Sequence, residues 1–375
     1  MFSRLIGIIR GRERGQILMI SALLLPGLLG MTALAVDVGS FAMERRDLQN
    51  AADSIALAAA QELPDTTSAT TKAAEWATKN DIDASEYTLT FTAYGAGQPY
   101  PKVRVQINRN HNFTFAPVLG VDSANNGAAA AGIKASFGGS AGIVPWSVTQ
   151  YTIDNAPDGL PVVMKYDSNN VDTGNFGAIR IDGPGSATYN TSVRYGSSTV
   201  ACAITAPNCV AGACPGTYPN TCAENAPECD GPECTPETGN MVGPTRTGTT
   251  FRMNNTSTSC DSFDEVFQDL DSDGQYDLVS DCNPWLDGAG KCLTSTSQCS
   301  RRVIIIPVID EFGAGASDPL TIQRFALLFL EGYQGTCTGN ECEIVGRFVE
   351  ADVTAKALAG SYDPGATVHF ARLSE

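Results

Sequence analysis

A run of 20 uncharged residues, Ile17 to Val36, follows Arg4, Arg10, Arg12 and Arg14. At about 1.5 Å per residue, a helix of that length spans roughly 30 Å, the thickness of a bilayer's hydrocarbon core. Pro26 and Gly27 interrupt the run, which a helix in lipid tolerates. Only Glu13 offsets the arginines, so the positive-inside bias places the N-terminus in the cytoplasm. A secretory signal is the competing reading, but its apolar core is usually about 7–15 residues and ends at a small-residue cleavage site. Here the run continues without proline into Phe41–Ala60, which is rich in Ala, Leu, Met, Gln and Glu, all strong helix formers. One helix is therefore expected to leave the membrane as a retained anchor and continue to about Leu63. Residues 1–16 form a basic cytoplasmic leader and 17–63 the transmembrane and extended helix. Phe41, Leu48, Ala52 and Ile55 recur at helical spacing and form a face for a partner or a folded domain. Gly27, Gly30, Ala33 and Ala35 would let a neighbouring transmembrane helix approach closely.

The rest of the chain suits an oxidising aqueous compartment. Lys and Arg number 24 against 41 Asp and Glu, a net charge of -17. With four of the arginines in the leader, the remainder is more acidic still, and such a field excludes nucleic acid as a partner. All 12 cysteines lie between Cys202 and Cys342, an even count without a Cys-x-x-Cys pair, in a chain with 2 histidines. Zinc sites use closely spaced Cys or His pairs, so disulfides are the better reading, and they require an exterior location. The 37 glycines and 20 prolines favour loops and short strands over a helical bundle.

The pattern gives an α+β fold. Ser68–Lys79 reads as a helix with Ala73, Trp76 and Ala77 on one face. Tyr87–Tyr94 and Val103–Ile107 alternate as strands; Phe113–Gly120 is a short helix and Ala128–Phe137 a further strand. Residues 64–140 make a small α+β unit, with Trp76, Leu89, Phe91, Val103 and Val105 as its expected core. Beyond Gly138-Gly139-Ser140, residues 141–375 read as a mainly β, disulfide-rich extracytoplasmic domain. Its candidate strands are Ile143–Gln150, Pro161–Met164, Ala178–Ile181, Ser192–Tyr195, Arg302–Ile309, Phe325–Leu330, Ile344–Val349 and Thr367–Ala371. A Cys-rich insertion, 202–299, interrupts it; its first part, crowded with cysteine and proline, has no apolar periodicity and depends on cross-links for order.

The sharpest chemical motif is Asp269-Leu270-Asp271-Ser272-Asp273-Gly274-Gln275-Tyr276-Asp277. Alternating carboxylates around a glycine turn suit calcium, a hard cation that prefers oxygen ligands. Asp269, Asp271, Asp273, the main-chain carbonyl of Gln275, Asp277 and Asp281 are the candidate ligands for a structural calcium ion. An EF-hand loop would need Glu at its twelfth position, where Ser280 stands, so a short stand-alone loop is expected. Against it stands an acidic solvated turn.

Arg14-Gly15-Gln16, Ala35-Val36-Asp37-Val38-Gly39 and Leu48-Gln49-Asn50-Ala51-Ala52-Asp53 together resemble the TadE/TadG-like proteins of Flp-type (tight-adherence) pilus assembly. Val103–Ile107, Phe115–Gly120 and Ala128–Ala135 are similar to the strand, short helix and strand that follow in that family. Gly174–Gly177, Gly239–Arg246 and Val303–Asp310 resemble segments of its longer members. The resemblance implies a membrane-anchored structural or accessory protein whose partners are other pilus or envelope-machine proteins and the membrane. Further copies of the chain are an additional partner, and a calcium-stabilised surface or filament-forming adhesion protein is the alternative. A processed pilin leader would carry Glu five residues into the mature chain; counted from Gln16, that position is Ile20. The Asp-x-Ser-x-Ser signature of metal-dependent adhesion domains does not occur.

No enzyme is expected. His111 and His369 read as lone surface histidines without a Gly-x-Ser-x-Gly elbow, a His-Glu-x-x-His helix or a glycine-rich phosphate loop. A secreted hydrolase with an acidic site is a third reading that only a cleft with paired carboxyls would support.

Overall fold

The computed structural model describes residues 3–93, 100–156, 160–165, 177–204, 233–237, 239–270, 276–285, 299–312, 320–339, 342–352, 358–359, 362–363 and 366–374. Contacts divide the chain into two units. One holds Met1–Ala93, Lys102–Ile133 and Leu373–Glu375; the other holds Tyr94–Pro101 and Lys134–Arg372.

In the first unit the leader, the apolar run and the amphipathic stretch after it form one helix, α1 (Ser3–Gln61), with Pro26 inside it. An 18-residue window has a mean hydropathy of 2.0, and none of it is buried within the structure. Ile20, Leu24, Leu25, Leu28 and Leu29 are each more than half exposed. An apolar surface of that extent marks a membrane or protein contact. From Leu48 the same helix becomes a core element: Leu48, Ala52, Ile55, Ala56 and Ala59 are buried.

Asp65 starts α2 (Thr66–Lys79) by accepting the Thr67 amide at 2.8 Å, an N-cap bond. Ala69, Ala73 and Ala77, one turn apart, are its buried stripe. Trp76 was expected in the core and is instead 36% exposed, because it lies off that stripe; Lys79 sits over its ring at 4.9 Å. Strands β1 (Tyr87–Thr92), β2 (Lys102–Asn112) and β3 (Ser123–Ser140) pair antiparallel in that order. Val103, Val105 and Ile107 are buried as expected, whereas Leu89 and Phe91 are only half-buried on the outer strand β1. A 3-10 turn, Ala116–Leu119, lies between β2 and β3.

Opposite Val103, Val105 and Ile107 on β3 stand Gly132, Ala130 and Ala128. These small residues let α1 approach the sheet. A Cβ on Gly132 would fall on the Ala56 carbonyl oxygen and lie 2.8 Å from the Ala60 Cβ. That glycine is a packing requirement, not a turn.

The second unit is organised by β11 (Val303–Ile309), all of whose residues are buried. In chain order its preceding elements are β4 (Val148–Thr149), α3 (Gln150–Asp154), β5 (Val162–Lys165), β6 (Ile179–Arg180), α4 (Ser186–Tyr195), β7 (Ala201–Cys202), β8 (Glu233–Pro236), α5 (Val242–Asn254), α6 (Phe263–Val266), β9 (Phe267–Gln268) and β10 (Asp277–Leu278). After it come β12 (Leu320–Tyr333), β13 (Ile344–Val349), β14 (Ala351–Asp352), β15 (Leu358–Ala359) and β16 (Val368–Ser374). Strand β11 pairs parallel with β4 and antiparallel with β12; β12 pairs with β13, and β13 with β5. Because side chains alternate along a strand, Val303, Ile305 and Ile309 enter one core with Phe325, Leu327 and Phe329. Ile304, Ile306 and Val308 enter another with Ala326, Leu328 and Leu330.

Each core contains a disulfide: Cys260–Cys282 in the first and Cys337–Cys342 in the second. Cys202 and Cys299 are also disulfide-bonded. The oxidised state expected from the cysteine count therefore holds for these six residues. Closing a segment such as the one between Cys260 and Cys282 contributes about 3 kcal/mol by restricting the unfolded chain.

Ser192–Tyr195, expected as a strand, ends helix α4 instead. Tyr189, Ser192 and Val193 recur at helical spacing and are its buried face. Threonine- and glycine-rich α5 packs on it with Gly248 at the contact, where a Cβ would overlap the Val193 side chain. Polar groups then fix the pair. The Trp146 indole N–H donates to the Tyr189 hydroxyl at 2.8 Å, and Arg252 donates to the carbonyls of Val193 and Arg301. Burial, reinforced by Arg301, pushes the Arg252 guanidinium down to about 9.

Asp182 is a buried carboxylate of this unit. It accepts from Ser192 Oγ at 2.6 Å, from Ser198 N at 3.0 Å and from Thr199 N at 2.8 Å. Burial alone would raise its pKa, but the donors outweigh burial and hold it below the usual carboxylate value. A carboxyl depressed in the folded state stabilises the fold above its unfolded pKa, near 3.9, and loses that effect as pH falls through the folded value. Asp182→Asn is expected to cost about 1–3 kcal/mol at neutral pH and to flatten the loss of stability on acidification. Thermal melts across the acid range read this directly; parallel pH profiles for the two chains would remove the assigned role.

Candidate functional site

Where α1 passes from the apolar run to its packed half, five of its side chains meet the sheet of the first unit. Asp37, the first charged residue after Val36, is 2% exposed. Its Oδ1 accepts the Thr114 amide at 2.9 Å, and its Oδ2 accepts those of Phe115 at 2.9 Å and Ala116 at 2.6 Å. Three consecutive amides at the start of the 3-10 turn thus converge on one carboxylate. An ionised acceptor suits such a cluster, because charge-assisted bonds are about twice as strong as neutral ones.

One turn further, Ser40 Oγ lies 3.2 Å from His111 Nε2, and His111 Nδ1 lies 2.8 Å from Glu44 Oε2. The Glu44 carboxylate can only accept, so Nδ1 carries a proton. Ser40 Oγ is also 2.9 Å from the Asp37 carbonyl, to which it donates. Asn126 Nδ2 donates to Glu44 Oε2 and to the Phe41 carbonyl, both at 3.1 Å. Phe41, His111 and Phe113 form a ring cluster with centroids 5.2–6.0 Å apart, His111 meeting each phenyl ring edge to face. Lower on the helix, Gln49 donates to Asp53 at 2.8 Å and to the Ala129 carbonyl at 3.1 Å.

Ser40, His111 and Glu44 stand in the order nucleophile, base and acid. Acyl transfer would also need convergent amides to receive an oxyanion. The converging amides of Thr114–Ala116 are already taken by Asp37, and the Ser40 proton has a main-chain acceptor. The arrangement fastens helix to strand. Neither histidine is the surface residue expected from sequence. The His111 side chain is only 13% exposed, while His369 is buried with Nε2 at 3.0 Å from the Asp363 carbonyl. The partners of Asp37 and His111 stand more than 60 positions away in sequence, and nothing local marks them.

The acidic loop is described at its ends. Strands β9 and β10 pair Gln268 with Asp277, and the Leu270 amide donates to Asp277 Oδ2 at 2.9 Å. Asp269 precedes the loop, and Asp281 lies in the 3-10 turn Ser280–Cys282. Asp271, Asp273 and Gln275 lie outside the described residues. Among the described residues, no three His, Cys, Asp or Glu side chains are grouped to hold a metal ion.

Replacing Asp37 with Ala removes the acceptor of three amides and is expected to cost about 3 kcal/mol in the first unit. Asp37→Asn, which keeps one oxygen acceptor, should lose less. Thermal unfolding of the full chain in detergent measures both; an unchanged melt for Asp37→Ala would show that the contact does not hold the unit together.

No curated protein and no solved structure matches the chain. Residues 15–62 match the Tad family model, described as TadE/G-like Flp pilus assembly. That interval contains Asp37, Phe41, Glu44 and Gln49, side chains that join the helix to the turn and strands of the first unit. Over residues 15–62, which lie almost wholly within α1, the chain is similar to a family described as putative Flp pilus-assembly TadE/G-like.

Proposed function

We propose that this protein is a single-pass, membrane-anchored extracytoplasmic component of a Flp/Tad-type pilus assembly machine, with a structural or accessory role and no catalysis. The observation that carries this reading is the uncovered apolar half of α1 within the residues that match the Tad model. The leading arginines favour a cytoplasmic N-terminus, and the disulfides favour an exterior second unit. Within the joint, α1 still presents Val38 and Met43, 65% and 67% exposed, on the part of the helix that leaves the bilayer. Exposed apolar residues on an otherwise docked helix suit contact with a second helix of the machine.

A photo-crosslinking residue at Met43, in cells that build Flp pili, should form adducts with pilus-machine proteins. Adducts confined to unrelated envelope proteins, or a second unit labelled from the cytoplasmic side, would sink the proposal.

The alternative of a calcium-stabilised surface or filament protein draws support from the acidic loop. Its ends are held together by the β9–β10 pair and the Leu270–Asp277 bond, and Cys282 beside Asp281 is cross-linked to Cys260. In this reading Asp269, Asp271, Asp273, Gln275, Asp277 and Asp281 supply oxygen ligands to a structural calcium ion. Calcium at about 100 times its dissociation constant would stabilise the fold by about 2.7 kcal/mol. A melting temperature that rises with calcium and falls with chelator is expected; identical melts in both would discard the ion.

A further inference from the structure

The turn held by Asp37 is the most apolar exposed loop in the first unit. Val118 and Leu119 are 89% and 69% exposed, and Phe115 and Val121 nearly half. No charged residue occurs from Phe113 to Val121. The loop lies beside the end of the apolar run: Phe115, Val118 and Leu119 face Leu29, Ala33 and Val36 across a groove of about 570 Å³ that no charged side chain lines. Leu29 to Val36 is about 10 Å of helix, the last two turns before Asp37. Whatever solvent surrounds those two turns also surrounds the loop.

We propose that the Phe115–Val121 loop is a second membrane-inserting element, a wedge that enters the outer leaflet beside α1, with lipid acyl chains filling the groove. This rests on the reading of α1 as a membrane span. Non-helical backbone survives in hydrocarbon only when its polar groups are satisfied within the protein. Seven amides of the loop meet that condition. The amides of Thr114, Phe115 and Ala116 go to Asp37, and Pro117 has none. Those of Phe113, Val118, Gly120 and Val121 donate to Asp122, Phe115, Pro117 and Ala116 carbonyls. A loop destined for water has no need of this, since water would satisfy the same groups. Asp37 therefore does more than fasten the helix, because it satisfies three amides that could not otherwise accompany Phe115 and Leu119 into lipid.

The test places tryptophan at Val118 in the full chain, reconstituted in phosphatidylcholine vesicles whose acyl chains are brominated. Leu25→Trp, on the exposed apolar run, is measured alongside, and both are read as the difference from the parent, which has 3 tryptophans. We expect Val118→Trp to be quenched by brominated chains as strongly as Leu25→Trp, and to resist aqueous iodide. Quenching by iodide would place the loop in water and overturn the wedge. Protection from both quenchers would mean that protein covers the loop, which also overturns it. If Leu25→Trp itself escapes brominated lipid, the membrane span fails and the wedge with it. Leu119→Trp repeats the measurement from the neighbouring position, should Val118→Trp lose the native circular dichroism spectrum.

Discussion

One carboxylate joins an uncovered apolar helix to a folded sheet in this molecule. Asp37 ends the apolar run and commits its oxygens to three consecutive amides of a loop 77 to 79 positions away. A helix with an uncovered apolar stretch needs a fixed relation to the fold it carries, or it is a tether and nothing more. The buried acceptor supplies that relation, because leaving either side of it unsatisfied away from water costs more than the bonds contribute net. Ser40, Glu44, His111 and Asn126 extend the attachment by one turn, and Gln49 by another. Past that point apolar packing takes over, with Leu48, Ala52, Ile55 and Ala56 against a strand stripped to Ala128, Ala130 and Gly132.

This makes α1 a single element with two packing regimes. From Met19 to Val36, the described large apolar side chains are exposed. In the helix's second half one face is buried, and the rest is mostly polar apart from Val38, Met43 and Leu57. The Tad match covers both halves and ends at Glu62, near the end of the helix. Its residues therefore take in an exposed apolar stretch together with the side chains that fasten the helix to its sheet.

Much of this was legible in the sequence. Period-two runs such as Val103–Ile107 and the unbroken Val303–Ile309 gave their strands because burial on one face or both leaves that signature. The apolar run, the continuation of α1 and the oxidised state of the described cysteines came from length, proline placement and even count. Other features were hidden for physical reasons. Helices α4 and α5 are built from Thr, Ser, Asn and Gly, residues with weak helical preference, and tertiary contact through Gly248 and Arg252 decides their state. Trp76 looked like core because it is large, yet the α2 seam selects the small alanines beside it. The joint was the hardest to read: Asp37 and Ser40 are on α1, while Thr114, Phe115 and His111 follow from strand pairing, so only the fold brings them together. The motif positions were visible as a resemblance; what they do was not.

Hydrogen exchange at the amides of Thr114, Phe115 and Ala116 tests the central contact most directly, because these groups have no strand or helix partner to slow them. In the full chain in lipid they should exchange slowly, and in Asp37→Ala they should exchange at open-loop rates while Val103–Ile107 keeps its protection. Rapid exchange at those three amides in the unaltered chain would mean that Asp37 does not hold the loop, and that the helix is not fixed to its sheet at the membrane exit.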